Sequence, residues 1–98
     1  MAQKRLEATV HGRVHGVGFR WFVMRRAEHL RLGGWVANEA DGTVRVVAEG
    51  RDEAVDALAA DLESGPPGAV VDHVAAHYPP PTGEFGRFSV RPGGHSGD

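Results

Sequence analysis

The segment Gly12-Arg13-Val14-His15-Gly16-Val17-Gly18-Phe19-Arg20 limits what this chain can become more than any other stretch. Before it, Leu6, Ala8 and Val10 alternate with polar neighbours, the period of a strand with one face on a core. After it the spacing turns helical, with Phe22, Val23, Ala27 and Leu30 on one side and Arg25, Arg26 and Glu28 largely on the other. Three glycines within seven residues must therefore carry a strand into a helix. Such a loop lets backbone N–H groups converge beside a helix N-terminus, where partial positive charge favours an anion. Arg20 adds a planar fork of donors that matches phosphate oxygens. A plain tight turn is the alternative reading of the glycines alone.

Further along, Gly34–Asn38 and Thr43–Glu49 read as strands joined by Glu39-Ala40-Asp41-Gly42, and the Asp-Gly pair signals an antiparallel hairpin. Asn38 then ends the second strand at the mouth of the turn. Val55, Leu58 and Leu62 share a helical face, and Asp52 and Glu53 fall in the first turn, where carboxylates complement the helix dipole. Ser64-Gly65-Pro66-Pro67-Gly68 stops that helix. Ala69 to His77 is a β-rich run, Tyr78 to Gly83 a loop, and Phe88-Ser89-Val90 a last strand. The order β-α-β-β-α-β with an added terminal strand predicts a ferredoxin-like α/β sandwich of the α+β class. One mostly antiparallel sheet would carry both helices on one face. The domain is expected over residues 1–91, with 92–98 a disordered tail. This fold hosts enzymes, metabolite sensors and RNA binders, so it does not name a function.

Composition removes several classes. Ninety-eight residues make one small domain, and a formal net charge of −2 argues against a nucleic-acid binder that relies on a broad basic surface. With no cysteine, disulfides and thiolate chemistry are excluded. No apolar run reaches membrane-spanning length, so no membrane partner is expected and the default compartment is the cytoplasm. Six histidines invite a metal. His73 and His77, however, would lie about 13 Å apart along one strand face, too far to share an ion, so solvated surface histidines and no metal are expected. Trp35 reads as sheet packing.

The segment Val10 to Arg20, together with Gly34-Trp35-Val36-Ala37-Asn38 and Asp41-Gly42-Thr43-Val44, resembles the acylphosphatase family. Gly65-Pro66 and the closing Phe88-Ser89-Val90 are similar to that family's pattern too. The resemblance implies hydrolysis of the carboxyl–phosphate bond of small acyl phosphates, with inorganic phosphate as product and with no metal or other cofactor, by a monomer. It also implies that the loop of Arg13, Val14, His15, Gly16, Val17, Gly18 and Phe19 and the side chain of Arg20 hold the phosphoryl group, and that Asn38 places the attacking water. Physical reasoning agrees about the amide: an aspartate beside a dianionic phosphate would be repelled, whereas a neutral amide accepts a water hydrogen without repulsion.

This sequence departs from the family pattern at His15, where glutamine is usual, at Gly18, where a larger side chain is common, at Arg31, where a helix-ending glycine is frequent, and at Arg45, where glutamate is frequent. A non-catalytic phosphate or carbamoyl-phosphate binding module is the rival reading, because domains similar to acylphosphatase also occur fused to hydrogenase maturation proteins. A ferredoxin-like RNA-binding or regulatory domain is a second rival, disfavoured by the acidic balance and the few aromatics.

Overall fold

The computed structural model describes residues 2–92. Its elements run β1 (Gln3–Arg13), α1 (Phe19–His29), β2 (Gly33–Asn38), β3 (Val44–Arg51), α2 (Asp52–Ser64), β4 (Val70–His77) and β5 (Phe88–Arg91). They form a five-stranded sheet in the order β4-β1-β3-β2-β5. The β1·β3, β1·β4 and β2·β3 pairs are antiparallel and the β2·β5 pair is parallel. This is the expected mostly antiparallel ferredoxin-like arrangement, with β5 as the added strand. Residues 93–98, most of the expected tail, lie outside the described residues.

Period-two patterning decides which sheet face is covered. Leu6, Ala8 and Val10 of β1 register against Ala48, Val46 and Val44 of β3, and all six are fully buried. Both helices pack against this face and against each other. From α1 they contribute Phe19, Val23 and Ala27, and from α2 Val55, Leu58 and Leu62. Burying each of the larger side chains is worth about 1.5–3 kcal/mol, so the two apolar stripes fix where each helix lies.

The opposite face is polar and partly roofed by the segment between β4 and β5. Glu49 of β3, only 7% exposed, accepts hydrogen bonds from the Arg5 guanidinium at 2.6 Å, from the backbone N–H of Thr82 at 2.9 Å and from that of Gly83 at 2.8 Å. The Arg5 guanidinium also lies 5.5 Å from the centre of the Phe85 ring. Arg45 donates to Thr9 Oγ1 and Glu7 Oε1 on this same face, so its departure from the family pattern changes surface pairing. Trp35 packs on the sheet, as expected, with the Arg91 guanidinium 4.2 Å above its ring.

Two boundaries differ from the expectation. The first strand extends beyond Val10 to Arg13, because β4 pairs with it through Gly12↔Val71 and Arg13↔Val70 after an irregularity at His11/Gly12. Arg13 therefore closes β1 and does not belong to the loop. Helix α1 stops at His29, ahead of the expected Arg31–Gly33, through a Schellman closure. The N–H of Leu32 donates to Ala27 O and the N–H of Arg31 to Glu28 O, with Arg31 itself left-handed at φ 59°.

Candidate active site

The loop between β1 and α1 is shaped by its glycines. Gly16 and Gly18 both hold left-handed backbone, at φ 72° and 77°, on either side of Val17. Alternation of left-handed and ordinary residues is the geometry that turns successive N–H groups toward a common anion. Gly18 is the N-cap of α1 and offers no side-chain cap, leaving the first helical N–H groups for a ligand or solvent. Phe19, 2% exposed, packs edge-on against Phe22 and roots the helix start in the core. The next residue, Arg20, is thereby carried out to the rim.

A cleft of about 350 Å³ lies there, lined by Val14, Gly16, Gly18, Phe19, Arg20, Trp21 and Asn38. Six of these seven residues were expected at the site; Trp21 was not. Arg13 and Val17 are not among the lining residues: Arg13 is taken up in β1, and Val17 is partly buried against the core. His15 turns aside as well, its Nε2 lying 2.9 Å from the carbonyl oxygen of Thr43. This contact joins the loop to the β2–β3 hairpin.

The hairpin in turn holds Asn38. The N–H of Glu39 donates to Thr43 O at 2.9 Å, and that of Gly42 to Glu39 O at 3.1 Å. Asp41 accepts from the Thr43 hydroxyl at 2.6 Å and from its N–H at 3.0 Å, and these two bonds keep the Asp41 carboxyl below its usual pKa. Asn38, the last residue of β2, is 4% exposed, with its amide oxygen withdrawn from solvent. Its Cα partner is Val44 of β3, so the sheet register fixes its place.

Arg20 is steadied by β5, where one Nη1–H donates to the Arg91 carbonyl at 2.8 Å. The cleft is thus lined by one guanidinium, one carboxamide, glycine backbone and apolar surface, with no carboxylate among its described lining residues. It suits an anion. Among the described residues no three His, Asp or Glu side chains are grouped so as to hold a metal ion. His11 faces His73 across β1 and β4, with ring centroids 5.6 Å apart, and His77 Nε2 lies 3.2 Å from Glu7 Oε1. No described helix is long and apolar enough to cross a membrane.

Similarity to known proteins runs over nearly the whole chain. The family model for acylphosphatase matches residues 6–90. A curated acylphosphatase of Cupriavidus necator is 45% identical over 92 residues, covering 94% of this chain and 98% of its own length. One of Salinibacter ruber is 44% identical, covering 91% of this chain and 94% of its own. Among solved structures, acylphosphatase from Bacillus subtilis superposes with a TM-score of 0.87 at 34% identity, covering 90% of this chain and 98% of that one.

Proposed function

The chain belongs to the acylphosphatase family, and from that membership we propose that it hydrolyses small acyl phosphates without a metal, using Arg20 and Asn38. It is an acylphosphatase; which side chains act, and how, is the proposal. The observation that carries it is the meeting, in one cleft, of the glycine loop, Arg20 and Asn38, supplied by three separate elements.

Phosphoryl transfer through a loose transition state asks for positioning and for neutralisation of the equatorial oxygens more than for covalent chemistry. The amides of residues 14–19 and the guanidinium of Arg20 donate to those oxygens. The Arg91 carbonyl occupies one donor of the five on the guanidinium and restrains its orientation. Asn38 holds the attacking water through its carboxamide and sets it in line with the breaking bond. A new P–O bond forms from water, the P–O bond to the acyl oxygen breaks, and its electron pair leaves on the carboxylate. Asn38 is no general base, so a phosphate oxygen of the substrate takes the water proton. A carboxylate leaves well at neutral pH, and no general acid is required.

Turnover of benzoyl phosphate by the parent, Arg20→Ala and Asn38→Ala proteins, with and without EDTA, tests this reading. Losing one preorganised donor of this kind costs about 10²–10³ in kcat. That loss is expected for Arg20→Ala, together with weaker inhibition by inorganic phosphate. Asn38→Ala should lose kcat yet keep phosphate inhibition. Undiminished turnover in folded Arg20→Ala refutes the mechanism, and loss of activity in EDTA refutes metal independence. A parent that binds phosphate at the loop but turns nothing over would instead be a binding module. We further propose a cytoplasmic monomer: the proposed chemistry uses only the glycine loop, Arg20 and Asn38 and calls for no residue of a second copy, and a cysteine-free chain draws no disulfide from an oxidising compartment. Sedimentation and cell fractionation test both points.

A further inference from the structure

Resting on the phosphoryl placement above, we propose that Trp21 determines acyl-group specificity, its indole forming a subsite that favours acyl phosphates with a flat aromatic acyl group. The loop donors, Arg20 and Asn38 all address the phosphate end of a substrate, so the acyl group is left at the rim of the cleft. Trp21 stands at that rim. It follows Arg20 directly and lines the same cleft, yet it is 64% exposed.

The core has no need of it. The buried stripe of α1 is Phe19, Val23 and Ala27, and Trp21 points elsewhere. A tryptophan left this exposed among the described residues is apolar surface open to a ligand. The space beside it is open too. A second hollow of about 390 Å³ shares Gly18 and Trp21 with the first and is lined further along α1 by Phe22 and Arg25. A Cβ built on Gly18 would have nothing within 4 Å, so the absence of a larger side chain there leaves room for an acyl group next to the indole. The far wall is held in place by Arg26, whose Nε is 2.7 Å from Asp61 Oδ2. A planar ring entering beside the indole can stack or meet it edge to face, which an acetyl group cannot do.

The test compares kcat/KM for benzoyl phosphate and acetyl phosphate in the parent, Trp21→Ala, Trp21→Phe and, as a control remote from the cleft, Tyr78→Ala. An aromatic contact of this kind corresponds to about a tenfold preference. Trp21→Ala should lower the benzoyl-to-acetyl ratio by that factor, chiefly through a raised KM for benzoyl phosphate. Trp21→Phe should keep most of the ratio, and Tyr78→Ala all of it. An unchanged ratio in Trp21→Ala, or an equal loss on both substrates, overturns the subsite while leaving the catalytic reading intact. A parent that hydrolyses neither substrate overturns both.

Discussion

Replacing Glu49 by glutamine probes the tie between the sheet and the segment that leads into β5. Burial by itself would push the Glu49 carboxyl up from 4.5, but the Arg5 guanidinium and the N–H groups of Thr82 and Gly83 outweigh it and hold the group at about 2. A carboxyl depressed in the folded state stabilises the fold above its unfolded pKa and loses that contribution as pH falls toward the folded value. At about 1.36 kcal/mol per pKa unit, the span from 4.5 to about 2 corresponds to roughly 3 kcal/mol at pH 7. By pH 3 roughly 2 kcal/mol of this is gone, and little remains below pH 2. Glutamine preserves the shape and one acceptor oxygen but lacks the charge opposite Arg5. Urea unfolding of parent and Glu49→Gln, followed by tryptophan fluorescence at pH 7, 5 and 3, measures the effect. The variant should be about 2–3 kcal/mol less stable at pH 7, with the gap narrowing as pH falls. A gap below about 0.5 kcal/mol at pH 7, or one that stays constant down to pH 3, would refute the argument. Because this segment delivers Arg91, whose carbonyl takes Arg20, kcat of the variant is also expected to drop.

Three further perturbations follow from backbone geometry and from the contact of His15 with the hairpin. Arg31→Gly should stabilise the protein by about 0.5–1 kcal/mol in the same urea assay, because Arg31 holds the left-handed position of the helix closure; a net loss would contradict the strain assigned to it. Gly12→Ala drives a Cβ into the Val70 carbonyl oxygen at φ 137° and should cost more than about 2 kcal/mol, with the β1–β4 edge the first to lose protection in amide exchange. His15→Ala should cost about 1 kcal/mol by severing the contact to Thr43 O, and should raise the inhibition constant of inorganic phosphate, with His15→Gln recovering much of both. Equal phosphate inhibition in all three proteins would show that the contact does not organise the loop.

Local chemistry made much of this protein legible in its sequence. The Leu6-Ala8-Val10 alternation, the helical spacing of Phe22, Val23, Ala27 and Leu30 and of Val55–Leu62, and the Asp41-Gly42 turn each depend on residues close in the chain. Each element formed there, although β1 runs on to Arg13, α1 stops at His29, and Phe19 rather than Phe22 or Leu30 completes the buried stripe of α1. Arg20 and Asn38 were singled out by their places at a helix start and a strand end together with the resemblance to the acylphosphatase family, and both line one cleft. Tertiary structure decided what depends on register and on neighbours remote in sequence. Arg13 joined β1 only because Val70 pairs with it. His11 faces His73, and Glu49 meets Thr82 and Gly83, through pairings that no spacing along the chain encodes. Parallel addition of β5 beside β2 set the Arg91 carbonyl against Arg20. Trp21 escaped notice because a single large apolar residue on a helix is assigned to the core by default, and only the burial of Phe19, Val23 and Ala27 on another side leaves it at the mouth of the cleft. Sequence settles periodicity and turn chemistry, which are local energies; the partners of Arg20 and Glu49 and the exposure of Trp21 are set by packing, which is not.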